Sequence, residues 1–182
     1  MARLKSASAY RVIKRPYTRT SRKRALAYVK GAPNFKVVQF DMGDKTNAQA
    51  FPYELQLLST RALQIRDNAL EAARQAAVRA LEKESKTGWA LKIRAVPHHV
   101  LREKAVATAA GADRFSQGMA HSFGAPVGHA VQARDGTILF SFFLEKQYIS
   151  LAREAARKAS TKMPMKTELR LLDNKTRKEL PL

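Results

Sequence analysis

Apolar residues along this chain change their spacing several times, and each change predicts an element. Residues 35–40 have the β-branched and aromatic content of a short strand, and Asp41-Met42-Gly43-Asp44 reads as a turn. Tyr53, Leu55 and Leu57 alternate with Glu54 and Gln56, which predicts a half-buried strand. Ser59 or Thr60 then stands where it would cap a long helix. Within that helix Ala62, Ile65, Ala69, Ala73, Ala76 and Ala80 recur at spacings of three and four, while Leu63, Leu70, Ala77 and Leu81 widen the stripe. Gly88 ends it. Trp89 then opens a stretch in which Leu91, Ile93 and Ala95 alternate with Lys92 and Arg94, a strand with one buried and one basic face.

The second half repeats the pattern. Residues 127–133 and 137–143 flank Asp135-Gly136, a strong hairpin signal, and the nearly continuous apolar run of the latter marks a central strand. Tyr148, Ala152, Ala155 and Ala159 predict a second helix with Arg153, Arg157 and Lys158 outward, ended by Pro164. Thr167, Leu169 and Leu171 alternate with Glu168 and Arg170 as a last strand. Helices interleaved with hairpin-connected strands predict an α+β two-layer domain with an antiparallel or mixed sheet and two main helices. The domain is expected over 41–172, with a long loop at 98–118 and a frayed polar tail at 173–182.

Charge changes this picture, because it is both large and uneven. The 34 Lys and Arg against 15 Asp and Glu give a formal +19 over 182 residues. Such a charge repels itself in a compact monomer unless a polyanion neutralises it, so nucleic acid is the default partner. No acidic residue precedes Asp41, yet Arg3, Lys5, Arg11, Lys14, Arg15, Arg19, Arg22, Lys23, Arg24, Lys30 and Lys36 all lie there. Residues 1–40 therefore read as a basic arm belonging to the same unit. Tyr10, Tyr17, Tyr28 and Phe35 are interleaved with its cations, an arrangement that lays charges on phosphates while rings stack on unpaired bases. A solvated arm weakly anchored by its tyrosines is the alternative.

Candidate chemistry narrows the choice further. The chain has no cysteine, so a disulfide framework and a Cys-ligated zinc are excluded. No apolar run approaches the roughly 20 residues of a membrane span, and residues 1–10 lack the apolar core of a secretion signal. His98 and His99 would face opposite sides of a strand, and His121 and His129 are separated by a glycine-containing loop. Neither pair has the one-face spacing of a zinc helix. Ser116 and Ser122 stand near His121 without a nucleophile elbow, and no Walker or dinucleotide-binding glycine pattern is present. No metal and no cofactor is expected, and the histidines read as neutral hydrogen-bonding or stacking groups. The run 96–128 carries basic groups and turn-forming glycines but little pattern that packs a core, which marks a functional loop. Residues 105–110 could alternatively form a short helix.

The order of parts in that run is Pro97-His98-His99, an Arg-Glu-Lys stretch, Gly111-Ala112-Asp113-Arg114, Gly118-Met119 and Phe123-Gly124 with Pro126 and Gly128. It resembles the large-subunit ribosomal protein family L-ten-e, whose bacterial counterpart is L-sixteen. Tyr10-Arg11, Pro16-Tyr17-Thr18-Arg19, Gln64-Ile65-Arg66 and Ala69-Leu70-Glu71-Ala72-Ala73-Arg74 carry the resemblance through the arm and first helix, so that it covers the chain from Tyr10 to about Leu171.

The resemblance implies an α/β hammerhead fold and a non-enzymatic constituent of the large ribosomal subunit in the cytoplasm. Its partners would be large-subunit ribosomal RNA, tRNA and neighbouring ribosomal proteins, without a membrane and without self-association. The arm residues, Tyr17 among them, would lie on RNA, as would Arg66, Arg74, Lys92, Arg94, His98 and His99, with Glu71 pairing with or orienting a base. The family's loop projects toward the acceptor ends of tRNA. Arg102, Lys104 and Arg114 would there meet phosphates, beside Asp113 and a tight turn at Gly111.

This chain departs from the family pattern at Ala105, Ala120, Ala125 and Gln132, where cations are usual, with His121, His129, Lys104 and Arg134 placed to compensate. The Pro97-His98-His99 run and the lack of a Gly-Lys-Gly-Lys loop place it nearer the archaeal branch. Two other classes fit the charge: a free-standing RNA-modifying or RNA-processing enzyme using the histidines, and a nucleoid-type nucleic-acid binder.

Overall fold

A computed structural model describes residues 6–13, 23–26, 29, 31–84, 87–104, 120 and 123–181. Its strands are β1 (Asp41–Gly43), β2 (Tyr53–Ser59), β3 (Leu63–Arg66), β4 (Trp89–Ile93), β5 (His99–Glu103), β6 (Ala125–Ala133), β7 (Ile138–Leu144), β8 (Thr167–Asp173) and β9 (Glu179–Leu180). Two main helices accompany them, α1 (Asp67–Glu84) and α2 (Ile149–Ser160). The strands form a six-stranded sheet in the order β1-β4-β7-β2-β8-β9 and a three-stranded sheet in the order β3-β6-β5. Every pairing among them is antiparallel. The α+β class with two main helices is as the sequence predicts.

Both helices lie on one face of the larger sheet and against each other. Ala73, Ala77 and Ala80 of α1 and Ala152, Ala155, Ala156 and Ala159 of α2 are all buried, so backbone approaches backbone with little side chain between. Leu55, Leu57, Leu91, Phe140 and Phe142 of the sheet fill the space beneath them. The predicted central strand is β7, buried between β4 and β2.

Four local expectations are corrected. Residues 35–40 are not a strand, and the ladder begins only at Asp41, in the predicted turn. The first helix does not start at Ser59 or Thr60: Leu63, Gln64, Ile65 and Arg66 pair with Ala133, Gln132, Val131 and Ala130 as β3. A run with helical spacing became a strand because an open edge of β6 took its backbone hydrogen bonds, tertiary pairing overriding a local periodicity. The Asp135-Gly136 turn exists, with Gly136 at φ +72°, but it does not make a hairpin. β6 leaves it into the small sheet and β7 into the large one, and the turn is tied instead to the end of β2. There the Gly136 N–H donates to the Ser59 carbonyl and the Ser59 N–H to that of Thr137. Finally, the tail turns back. β9 pairs with Leu171 and Leu172 of β8, after a turn at Arg177, whose φ of 57° is left-handed.

Candidate nucleic-acid interface

The predicted basic positions fall in three places. The first is the amino-terminal segment. Ser6 accepts from the Ser8 N–H at the start of a short 3-10 turn, Ala7–Tyr10, and the chain then lies along β3. Buried Gln64 fixes it: its N–H donates to the Arg11 carbonyl at 2.9 Å, and its side-chain amide to the carbonyls of Tyr10 and Val12 at 3.0 and 2.8 Å. The Tyr10 hydroxyl donates to Glu103 at 3.0 Å, and the Arg66 guanidinium lies 6.0 Å from the Tyr10 ring centre. Arg66 thus ends a strand rather than edging a helix. Arg11 and Lys23 are exposed. Arg24 begins the 3-10 turn Arg24–Leu26. Arg3, Lys5, Lys14, Arg15, Tyr17, Arg19 and Arg22 lie outside the described residues.

Residues 31–40 form a strap across the start of α1, and this explains why they are no strand. The Lys36 N–H donates to Asp67 and the Val38 N–H to Glu71, each at 3.2 Å. Two residues of extended chain span roughly 6.6 Å and four residues of helix about 6.0 Å, so alternate N–H groups of one match carboxylates one turn apart on the other. Side-chain acceptors have replaced a neighbouring strand. Glu71 also binds Arg74 through both Nε (2.9 Å) and Nη2 (2.6 Å), and Gln75 at 3.0 Å. Burial pulls the Glu71 pKa up, but these hydrogen bonds and the guanidinium charge outweigh it and hold the carboxyl below its ordinary range. Arg74 is only 13% exposed and its Nη1 points to the Met42 sulfur, so this cation faces inward.

The second place is the small sheet and its loop. The His129 Nε2–H donates to the Pro33 carbonyl, and Phe35 packs edge-on against the His129 ring at 4.7 Å. A carbonyl can only accept, so that proton sits on Nε2. His99, half-buried on β5, has its pKa lowered by burial first, then by the charges of Arg102 and His129. His98 is exposed. The Arg102 guanidinium lies 4.1 Å from the Phe123 ring centre, and Phe123 is 51% exposed. The Lys104 ammonium donates to the Ala120 carbonyl, which brings together the two ends of segment 105–119. Gly124 is required here, since a Cβ would lie 2.8 Å from the Glu103 backbone. Gly111, Asp113, Arg114 and His121 lie outside the described residues.

The third place is the face of the large sheet turned away from the helices. Lys92 stands opposite Asp41 in register, 3.5 Å from it, both half-exposed. Arg94 donates to Ser141 at 3.2 Å and lies 5.9 Å from the Phe143 ring centre. Beneath it is Glu54, which alternation had put on a solvent face and which is 0% exposed. Its carboxylate accepts from Gln56 at 2.9 Å and from Arg177, with Arg94 Nη2 at 3.7 Å. A buried carboxylate is tolerated only with such partners. The returning tail, expected to fray, supplies one of them. Glu54, Gln64, Asp67 and Arg177 were not singled out from the sequence. Only the i, i+4 spacing of Asp67 and Glu71 offered a signal, since two acids on the core face of a helix require partners.

Among the described residues no group of His, Asp and Glu is placed to hold a metal, and no helix is long and apolar enough to cross a membrane.

Comparison with known proteins places these surfaces in context. The model of the family "Ribosomal protein L16p/L10e" matches residues 13–170. The chain is 44% identical over 170 residues to the large ribosomal subunit protein uL16 of Archaeoglobus fulgidus, covering 93% of this chain and 92% of that protein. It is 43% identical over 162 residues to the uL16 of Methanoculleus marisnigri, covering 88% and 91%. With the uL16 of Pyrobaculum neutrophilum the identity is 39% over 170 residues, covering 91% and 90%. The proteins of this family are structural components rather than enzymes. With the match spanning residues 13–170, the chain belongs to the L16p/L10e family of ribosomal proteins.

Proposed function

We propose that this protein is a structural constituent of the large ribosomal subunit in the cytoplasm. It binds large-subunit ribosomal RNA with its basic amino-terminal segment and sheet faces, and it carries the segment 105–119 toward the acceptor ends of tRNA. The observation that carries this reading is family membership over nearly the whole chain, joined to a +19 charge that suits a polyanionic partner. Arg11, Lys23, Lys92, Arg94, His98 and Arg102, with the basic residues at 3–22, are the phosphate and base contacts. Lys104, Gly111, Asp113 and Arg114 belong to the tRNA-proximal loop. Arg74 is assigned differently: turned onto Glu71, it holds the strap and reaches RNA only through it. Arg66 steadies Tyr10 beside the RNA-facing segment. Neighbouring ribosomal proteins complete the environment, and the chain acts as one copy.

Sedimentation of a cell lysate through sucrose, before and after a moderate salt wash, tests the proposal. Stoichiometric migration with the large subunit after the wash is expected. Migration as free protein at the top of the gradient overturns it and favours a free-standing RNA enzyme or nucleoid binder.

A further inference from the structure

On the outer face of the large sheet the loop after β1 and the turn between β8 and β9 rise as two walls, leaving a hollow of about 430 Å³ between them. Asn174 ties the walls together, its side-chain amide donating to the carbonyls of Gln49 and Phe51, both at 2.9 Å. The floor is apolar, Ala90 beside Phe143. The rim carries Lys45, Lys92, Arg94 and Arg177, countered by Asp41 and the underlying Glu54.

Two features mark this as more than a solvated depression. Glu54 is fully buried on a sheet face that alternation would leave wet, and it holds two arginines that remain 39% and 59% exposed. A carboxylate so placed fixes guanidiniums whose outer N–H edges stay available, which is how a cation is pre-organised for a phosphate. Arg177 also occupies left-handed backbone at φ 57°, a conformation that is costly for a non-glycine residue. The chain accepts that cost and thereby sets this guanidinium on Glu54. Arg94 also lines the hollow, its guanidinium 5.9 Å from the Phe143 ring centre and 39% exposed.

We propose that this hollow receives a single unpaired RNA nucleotide, its phosphate on Arg177 and Lys45 and its base stacked on the Arg94 guanidinium above the apolar floor. The volume suits one small polar-aromatic group rather than a duplex edge. Guanidinium planes are among the surfaces on which splayed-out bases stack. The inference deepens the RNA-binding reading above and rests on it.

The test is titration of the full chain with the four nucleoside monophosphates, with inorganic phosphate and with a short oligoglutamate peptide, followed by amide NMR. Nucleoside monophosphates should shift the Ala90 and Phe143 amides with the ring-current signature of a stacked base, at an affinity that phosphate does not match. Arg177→Gln, an exposed change that leaves Glu54 its Arg94 and Gln56 partners, should weaken this about tenfold, as expected for one lost charge-assisted bond. Lys45→Glu is the independent check and should weaken it in the same direction. Equal response to phosphate alone, preference for oligoglutamate, or no shift at Ala90 and Phe143 each overturns the nucleotide site. Sedimentation of the same variants separates the two readings: loss of the site with retained large-subunit migration leaves the ribosomal reading standing.

Discussion

Replacing Glu71 by alanine isolates the contact that fastens the strap to the body. Glu71 accepts four hydrogen bonds, one from the Val38 N–H, two from Arg74 and one from Gln75. Both carboxylate and guanidinium are nearly buried, 12% and 13% exposed. Removing one partner of a buried pair leaves the other charge uncompensated at about 3–5 kcal/mol. Because some solvent reaches Arg74, the lower bound, about 3 kcal/mol, applies. At roughly 2–4 °C per kcal/mol for a chain of this size, Tm should fall by about 6–12 °C. Glu71→Gln keeps the volume and an acceptor for Val38 and should cost about half as much.

The pH dependence provides the sharper test. A carboxyl whose folded pKa lies below its ordinary 4.5 contributes stability that is fully present above that value and is lost as pH falls through the folded pKa. The Tm gap between the natural protein and Glu71→Gln should therefore be constant near neutrality and close in acid. Thermal unfolding by circular dichroism across that range measures it, and hydrogen exchange of the Lys36 and Val38 amides reports whether the strap lifts. A Tm loss below about 2 °C for Glu71→Ala, or a gap unchanged in acid, would refute the clamp.

Three further outcomes are expected. Gln64→Ala removes the donors that hold the Tyr10 and Val12 carbonyls, so limited proteolysis should release the segment before residue 14, with a stability loss of about 1–2 kcal/mol. His99 has a folded pKa lowered below 6.5, so it contributes stability fully present above that value and lost as pH falls through the folded pKa; a Tm titration should show a decline that His99→Gln removes. Because Lys104 and Ala120 are joined across the mouth of the loop, replacing 105–119 by a short Gly-Ser linker should leave Tm within about 2 °C and subunit migration intact. Binding of tRNA to such subunits should fall, and a collapse of the unfolding transition would instead make the loop part of the core.

What the sequence determined was the two helices, the central strand and the consequence of the charge. Alanines at spacings of three and four located α1 and α2, because a helix buries one stripe whatever it packs against. The apolar run at 137–143 announced a strand covered on both faces, and the acid-free first forty residues announced a polyanion partner. The run 96–128, with the motifs from Gln64 to Arg74, carried the family.

What only the tertiary structure decided was which partner each segment takes. Gln64-Ile65-Arg66 has helical spacing yet pairs with β6, because the free edge of a neighbouring strand outbids a local preference. Residues 35–40 look like a strand, but their N–H groups go to Asp67 and Glu71. The Asp135-Gly136 turn is legible, while the divergence of its two strands into separate sheets is set by contacts with Ser59 far away in sequence. Glu54 and Arg177, 123 residues apart, gave no sign of each other. A buried carboxylate on one strand and a left-handed arginine in a tail become a site only when the tail folds back. Periodicity records how a segment meets water, and it holds no record of which distant backbone or charge will replace that water.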